Sequence, residues 1–390
     1  MQFKNTKMPK IFIFLLLISS FNIKNIFAEN NDTSKVVLDL NFFIDNYYSI
    51  DFDKTKPFQK PDFIYNHNQN NQLSINMAML QIGLSGEVFR TKLDVMFGTY
   101  AQFNYAHEPA IFRNIYQAYG GVKLSKNKDL WLDAGIFESH IGFETAISSQ
   151  NLTLSRSLAA ENSPYYLSGL RLVYQPNEKW FLLASLSNGW QVIDRRGDEF
   201  HLPAFGHQIQ YNINKHILIN WSSYIGKESS QFFYRGMRYF NNFYTSIKYK
   251  KLELNAGFDI GFQEQNLNND FKRWLTPLIL VRYNFNDKIA LATRFEYYED
   301  IGRNIIDDKY RQGNYVVPFQ LYGTSLNFDY NINKNVLFRL EGRYFQSVNA
   351  NLFEYRADRN DNIAFVNFSN ENFTLLASLS INFPHKKALK

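Results

Sequence analysis

The chain has 390 residues and no cysteine, so a disulfide framework is excluded and stability has to come from backbone hydrogen bonding and burial. It also lacks any run of about 20 apolar residues, which excludes a membrane protein built of spanning helices. The one compact apolar run, Ile11–Phe21, is too short to cross a bilayer. These absences leave strands as the elements on which a fold can be built.

The short apolar run has the setting of an export signal. Lys4, Lys7 and Lys10 precede it, and the small residue Ala28 follows it. A basic segment, a short apolar segment and a small residue in this order are typical of a cleaved signal peptide. We therefore predict a signal peptide over residues 1–28, with cleavage after Ala28.

Residues 29–390 also lack a large excess of positive or negative charge. The formal net charge is +6, but residues 1–28 contain four lysines and no acid, which leaves +2 for residues 29–390. A nucleic-acid-binding protein would show a clustered basic face. The balance of charge therefore predicts no nucleic-acid partner.

Metal and cofactor chemistry have little support in the sequence. The seven histidines are scattered, and the acids of the late loops, Asp307, Asp308, Asp358 and Asp361, lack the regular spacing of a calcium-binding loop. A glycine-rich phosphate loop between a strand and a helix is also missing. We predict no metal and no cofactor.

From Lys35 onwards, segments of about ten residues alternate between apolar and polar side chains. In Leu252–Ile260, for example, apolar residues alternate with Glu253, Asn255, Gly257 and Asp259. Alternation with a period of two residues indicates strands with two different faces. The predicted strands are 36–46, 73–82, 89–104, 115–124, 130–138, 167–174, 180–190, 205–212, 216–226, 239–249, 251–262, 275–285, 288–298, 318–331, 335–346 and 372–383.

The connections between these sixteen strands alternate in length. The long ones are 47–72, 105–114, 139–166, 191–204, 227–238, 263–274, 299–317 and 347–371, and short turns lie between them. Short turns on one side and long loops on the other are typical of bacterial outer-membrane barrels. We therefore predict an all-β, transmembrane, antiparallel up-and-down barrel of about 16 strands (range 14–18) over residues 29–390, in the outer membrane. Its long loops are expected outside the cell and its short turns in the periplasm.

The two faces of the strands predict where lipid and water lie. Tyrosines beside the short turns fall on the apolar face and predict an aromatic girdle in the lipid headgroups: Tyr174, Tyr211, Tyr249, Tyr283 and Tyr330. The opposite face is rich in charge, which a dry core would not tolerate and a wide aqueous interior would. The inward residues that we single out are Arg171, Arg282, Arg294, Glu296, Arg339 and Arg343.

Three segments carry a resemblance to a known family: Asp129–Glu144, Leu158–Tyr166 and Asn188–Trp190. Together they resemble the OmpL-like β-barrel porins of Bacteroidetes-type bacteria, over about residues 47–383. The resemblance implies an outer-membrane barrel with a pore function and poorly defined solutes. The chain departs from the usual pattern because residues 384–390 follow the aromatic residue at which outer-membrane strands often stop.

The third long connection, 139–166, is a candidate for narrowing the pore. It carries Glu144, Arg156 and Glu161, which we expect to face the inward arginines of the wall and to create a transverse field. The resulting function is passive diffusion of small polar solutes or ions. The alternative for this segment is an ordinary packed surface loop.

Two other classes of function remain open. A hydrolase needs a converging nucleophile, base and acid, but Ser139 and His140 point to opposite faces, and an acid is missing beside His207 and Ser223. We therefore expect no enzyme. A structural or adhesive barrel could act through its exterior loops, above all 347–371. Outer-membrane lipids are expected as partners, and a homotrimer is compatible with a 16-stranded pore.

Overall fold

The structure is a computed structural model that describes residues 36–52, 59–195, 202–228, 236–265, 270–306, 311–312, 315–349, 352–356 and 366–389. The predicted signal peptide lies outside these residues. Sixteen strands form a closed antiparallel barrel in which each strand pairs with the next and the last pairs with the first. In chain order they are β1 (Val36–Asp51), β2 (Leu73–Ser85), β3 (Phe89–Phe97), β4 (Ile115–Lys123), β5 (Asp129–Glu138), β6 (Tyr166–Asn177), β7 (Trp180–Ser187), β8 (Ala204–Asn214), β9 (Ile217–Lys227), β10 (Met237–Tyr249), β11 (Leu252–Glu264), β12 (Phe271–Asn284), β13 (Ile289–Asp300), β16 (Phe319–Asn333), β17 (Val336–Ser347) and β20 (Glu371–Leu389).

Two small hairpins lie in the last long connections. One joins β14 (Arg311–Gln312) to β15 (Tyr315–Val316), and the other joins β18 (Phe353–Arg356) to β19 (Val366–Ser369). The sixteen-stranded antiparallel barrel predicted from the sequence is confirmed. Short turns alternate with longer connections around it, although the connection between β11 and β12 is only residues 265–270, because both strands are longer than predicted.

Alternation along each strand produces the two faces of the barrel. On β13, Ala292 and Arg294 are buried on the inside, whereas Leu291 and Phe295 face outwards and Phe295 is 57% exposed. Other strands repeat the pattern, so apolar side chains cover the outside. Closure leaves no free strand edge, which lipid could not satisfy with hydrogen bonds.

The third strand differs from its prediction, which ran over 89–104. It ends at Phe97, and a helix follows over Thr99–Asn104. Gly98 makes the exit possible, because its φ of 121° is unfavourable for other residues and a Cβ would come 2.5 Å from the Asn76 carbonyl oxygen. The helix places the ring of Tyr100 inside the barrel. Among the described residues, no helix is both long and apolar enough to span a bilayer.

The last strand also extends beyond its prediction. It continues past Phe383 to Leu389, and Pro384 lies opposite Asn41 of β1. All sixteen residues of β1 pair with β20, so the six residues after Phe383 complete the ladder that closes the barrel.

The long connections fill much of the interior at the long-loop end. Residues 59–72 of the first connection and 139–165 of the third contact inward-facing residues of the wall. An apolar group that we call the outer cluster lies at this end; its buried members include Phe63, Tyr224, Phe240, Trp274, Phe319 and Phe345. The core of the molecule therefore lies within the barrel.

Candidate solute path and inserted loop

Residues 139–165, called the inserted loop from here on, are bonded to the inner wall at well-separated strands. The His140 Nε2 atom lies 2.9 Å from the Ser223 carbonyl oxygen of β9. The Ser148 hydroxyl donates to Asp45 of β1 at 2.8 Å. The backbone N–H of Leu154 donates to Asn327 of β16 at 3.0 Å. Because these strands lie on different sides of the barrel, the loop crosses its interior.

Arg339 of β17 fastens the middle of the inserted loop. Its guanidinium donates to four loop carbonyl oxygens at 2.7–3.1 Å, those of Ser148, Asn151, Leu152 and Thr153. Asp329 balances its charge from the neighbouring strand at 2.7 Å. A charged donor with several acceptors and a paired acid is a stable arrangement for a buried arginine.

A second group of charges holds the next part of the loop. Arg294 donates to the Ser155 carbonyl oxygen at 2.7 Å and pairs with Glu296 and Glu341, each at 3.2 Å. Glu341 accepts the backbone N–H of Ser155 at 2.6 Å. Arg343 pairs with Glu296 at 2.8 Å. Loop and wall therefore share one charged network.

This geometry differs from the one expected from the sequence. Arg294 and Arg339 are fully buried, and they bind the backbone of the inserted loop instead of facing its acids across open water. The physical reason is that the carbonyl groups of an irregular loop need donors inside the barrel. The loop takes those donors from the wall, which removes the arginines from water.

The charged side chains of the loop are held mainly by the connections themselves. Glu144 accepts the N–H and the hydroxyl of Ser157, and burial raises the pKa of Glu144. Glu161 accepts the N–H groups of Tyr65 and Asn66 at 2.9 and 3.1 Å. The inserted loop is therefore also bonded to the first long connection.

Two further predicted residues lie on the wall: Arg171 is outside that network, and Arg282 joins it through Asp329. Arg171 pairs with Asp133 at 2.7 Å, and Arg90 pairs with the same acid at 2.7 Å. Arg282 pairs with Asp329 at 2.5 Å. Arg171 and Arg282 retain some exposure, 15% and 14% of their side chains, so they border residual space.

Two polar cavities lie along β8 and β10, and the lower of them also reaches β11. The upper cavity, of about 220 Å³, has Tyr100, His140, Arg156, Gln208, Gln210 and Tyr244 among its lining residues. The lower cavity, of about 310 Å³, lies towards the short turns and has Asn212, Ser246, Lys248, Glu253 and Asn255 in its lining. Sequence reasoning named neither Gln208 nor Asn212, although the alternation of β8 places both on the inner face.

His140 sits where the loop meets this wall. Burial lowers the pKa of His140 to about 4, and the charges of His207 and Arg171 act in the same direction. Gly206 of β8 provides the room, because a Cβ there would lie 2.6 Å from the His140 Cε1 atom. The imidazole is therefore held neutral and close to the backbone of the wall.

The tyrosines of the predicted girdle all lie near the short turns and face outwards. Tyr249 and Tyr283 are opposite Leu252 on neighbouring ladders, and both are about half exposed. Tyr330, Tyr174 and Tyr211 take equivalent positions on β16, β6 and β8. Their contact with lipid headgroups stays a prediction.

Features of a hydrolase or a metal site do not come together in the part of the chain that the structure describes. The Ser223 hydroxyl lies 2.6 Å from His207 Nδ1 on the outer face, without a carboxylate bonded to the pair. No group of three His, Asp or Glu side chains there could hold a metal ion. All four acids of the late loops that the sequence analysis considers lie outside the described residues: Asp307, Asp308, Asp358 and Asp361.

The barrel is similar to solved outer-membrane proteins. The trimer form of OmpT from Vibrio cholerae matches with a TM-score of 0.57 and 8% identity, over 89% of this chain and 99% of that chain. An anion-selective porin from Comamonas acidovorans matches with a TM-score of 0.54 and 6% identity, over 90% and 100%. OmpF of Salmonella typhi, in a complex with daunomycin, matches with a TM-score of 0.52 and 10% identity, over 91% and 99%. At these identities the likeness shows the fold alone.

Sequence comparison supplies the family. No curated protein sequence is significantly similar to the chain. Residues 38–383, however, match the family described as "Putative beta-barrel porin-2, OmpL-like". Because that match spans nearly the whole barrel, the chain belongs to the OmpL-like β-barrel porin family.

Proposed function

We propose that this protein is an outer-membrane channel for passive diffusion of small hydrophilic solutes and ions, and that solutes pass between the inserted loop and strands β8–β11. The observation that carries the proposal is the succession of two polar cavities on the same strands. Gln210 borders the upper cavity and Asn212 the lower one, and Tyr244 and Ser246 do the same on β10. A step of two strand residues is about 7 Å, so the cavities follow one another along the wall.

The charged network supports the same path. It fastens the inserted loop to β13 and β17 through Glu296 and Arg339, and Asn327 bonds the loop to β16. The polar cavities lie beside other strands, β8 and β10 among them, so the loop narrows the barrel but leaves space along that part of the wall. We therefore propose that residues 139–166 form the constriction and that Arg156 borders its narrow part.

Single-channel conductance in planar bilayers tests this path. We expect replacement of residues 143–162 by a short Gly-Ser linker to raise conductance several-fold, because the narrowing element is gone. Arg156→Ala is expected to shift ion preference towards cations, since one buried positive charge is removed. Unchanged conductance and ion preference in both variants would refute the proposal.

A variant in the lower cavity provides a check that keeps the loop intact. Ser246→Trp fills that cavity and is expected to reduce conductance, whereas Ser246→Ala at the same position is the matched control and should conduct normally. If the tryptophan variant conducts as well as wild type, solutes take another route.

The outer cluster favours one second candidate, a structural or adhesive barrel that acts through its exterior loops. Phe63 packs at the long-loop end against Phe319 and Phe345, at ring distances of 5.0 and 6.2 Å. Liposome swelling distinguishes the two functions, because an adhesive barrel would not admit small sugars. A homotrimer, with which the sequence is compatible, is part of the channel proposal, and the trimer form of the similar OmpT supports it.

A further inference from the structure

We propose that the upper cavity binds a small zwitterion of amino-acid size, with its carboxylate on Arg156 and its ammonium group on Glu138; this inference rests on the channel function proposed above. Both residues line the cavity. They come from different elements, since Arg156 belongs to the inserted loop and Glu138 is the last residue of β5. The site therefore forms only when the loop is in place.

Arg156 has hydrogen-bonding capacity that the protein does not use. It is 4% exposed, its guanidinium lies 4.2 Å above the Tyr165 ring, and its Nη2 atom donates to the Ala160 carbonyl oxygen at 2.9 Å. Its Nε and Nη1 atoms have no hydrogen-bond partner among the described residues. Buried donors without partners are costly, and charged donors most of all. A carboxylate in the cavity would supply the missing acceptor.

Tyr100 adds a second donor to the same cavity. Its side chain is fully buried and lines the cavity together with Arg156. Among the described residues its O–H has no acceptor, because the neighbouring Arg156 side chain carries donors only. Two residues with unused donors around one space indicate a ligand with an acceptor group.

The acids of the cavity determine the other end of the ligand. Glu138 and Glu144 line the cavity with Arg156, so acidic side chains outnumber basic ones if His140 is neutral. Glu144 is bonded to Ser157, whereas Glu138 accepts the Tyr116 hydroxyl on one oxygen and can accept a ligand N–H on the other. A simple anion would increase the negative excess, but a zwitterion adds no net charge.

The volume limits the size of the ligand. A cavity of about 150 Å³ holds benzene in an engineered protein core, and the upper cavity measures about 220 Å³. Solutes with roughly six to ten non-hydrogen atoms match this space on the same scale. Short amino acids fall in that range.

Titration calorimetry with the full-length, detergent-refolded protein tests the inference with three probes: L-alanine, propionate and ethylamine. Alanine carries both charges, and each of the others carries one of them. We expect alanine to bind at least about tenfold more tightly than propionate or ethylamine, because each charged contact is worth about a factor of ten or more in affinity.

Arg156→Gln and Glu138→Gln should each weaken alanine binding by at least about tenfold. Glutamine at 138 still accepts the Tyr116 hydroxyl, and far-UV circular dichroism confirms that each variant is folded.

Lys386→Gln is the control, because Lys386 is an exposed cation at the short-turn end and pairs with Asp39. It should bind alanine like wild type. Equal affinity for propionate or ethylamine would overturn the zwitterion site. If alanine does not bind but the same preparation conducts ions, this inference fails and the channel stands. If alanine binds and the protein does not conduct, the channel proposal fails instead.

Discussion

At the scale of single residues, we expect His140 to couple the inserted loop to pH. Its Nε2 atom faces a carbonyl oxygen and therefore carries the hydrogen, which leaves Nδ1 bare in the neutral ring. Burial keeps the pKa of His140 near 4 in the folded protein, against about 6.5 in a released loop. Protonation therefore favours release.

The first prediction concerns this pH dependence. As pH falls from about 6.5 to 4, the released loop binds a proton that the inserted loop does not, and insertion loses about 3 kcal/mol in total. Below pH 4 both states are protonated and no further loss follows. We expect wild-type conductance to become larger or noisier across this window, measured at pH 7, 5.5 and 4.

Two variants separate the contributions to that profile. His140→Gln can still donate to the Ser223 carbonyl oxygen and should remove the pH-dependent step. The pKa of Glu144 is raised by burial, so its contribution has the opposite sign, and Glu144→Gln should make the loss at low pH steeper. A wild-type profile that is flat from pH 7 to 4 would contradict the prediction.

At the scale of elements, the inserted loop depends on a wall arginine about 190 residues away in the chain. Arg339→Gln removes the donor to four loop carbonyl groups and one partner of Asp329. Breaking a buried ion pair costs about 3–5 kcal/mol. We expect a lower urea midpoint and a higher conductance, because the loop is held less firmly.

The same conservative change outside the network serves as the comparison. Lys386→Gln also removes a cation from an ion pair, but its side chain is 71% exposed, and exposed pairs contribute little. Its urea midpoint and conductance should match those of wild type. Equal conductance in both variants would mean that Arg339 does not hold the loop in its narrowing position.

Features that depend on neighbouring residues could be predicted from the sequence, whereas features that depend on residues far apart in the chain could not. Alternation in segments such as Leu252–Ile260 is local, and it predicted the strands, their faces and their number. The third strand was too long because the pattern continues through Gly98 into a segment that forms a helix. The length of the third long connection and its place in the chain indicated that it could narrow the pore. Its bonds to Arg339 could not be predicted, because they join distant residues and depend on how the loop folds.

At the scale of the whole molecule, we expect the outer cluster to limit access from the exterior. Phe63→Ala removes its central ring, which contacts Phe319, Phe345 and Phe353. A buried Phe→Ala change costs about 3–5 kcal/mol, and here the cost falls on the packing of the first long connection. We expect larger single-channel currents in Phe63→Ala.

The control for this variant is Phe52→Ala. Phe52 is 54% exposed and contacts Phe373 on the outer surface, so its loss leaves the interior unchanged. Its currents should equal those of wild type. If Phe63→Ala also conducts like wild type, the cluster does not limit passage.

The pairing of β1 with β20 has a consequence for biogenesis. Every other neighbouring pair is joined by its own turn or loop and can form as soon as both strands exist. The sixteen residue pairs from Val36 opposite Leu389 to Asp51 opposite Thr374 join the first and last strands of the barrel. Until the final strand has been synthesised, both outermost strands expose unpaired N–H and C=O groups that invite aggregation. Ring closure is expected to be the slow final step because this strand pair has the greatest sequence separation.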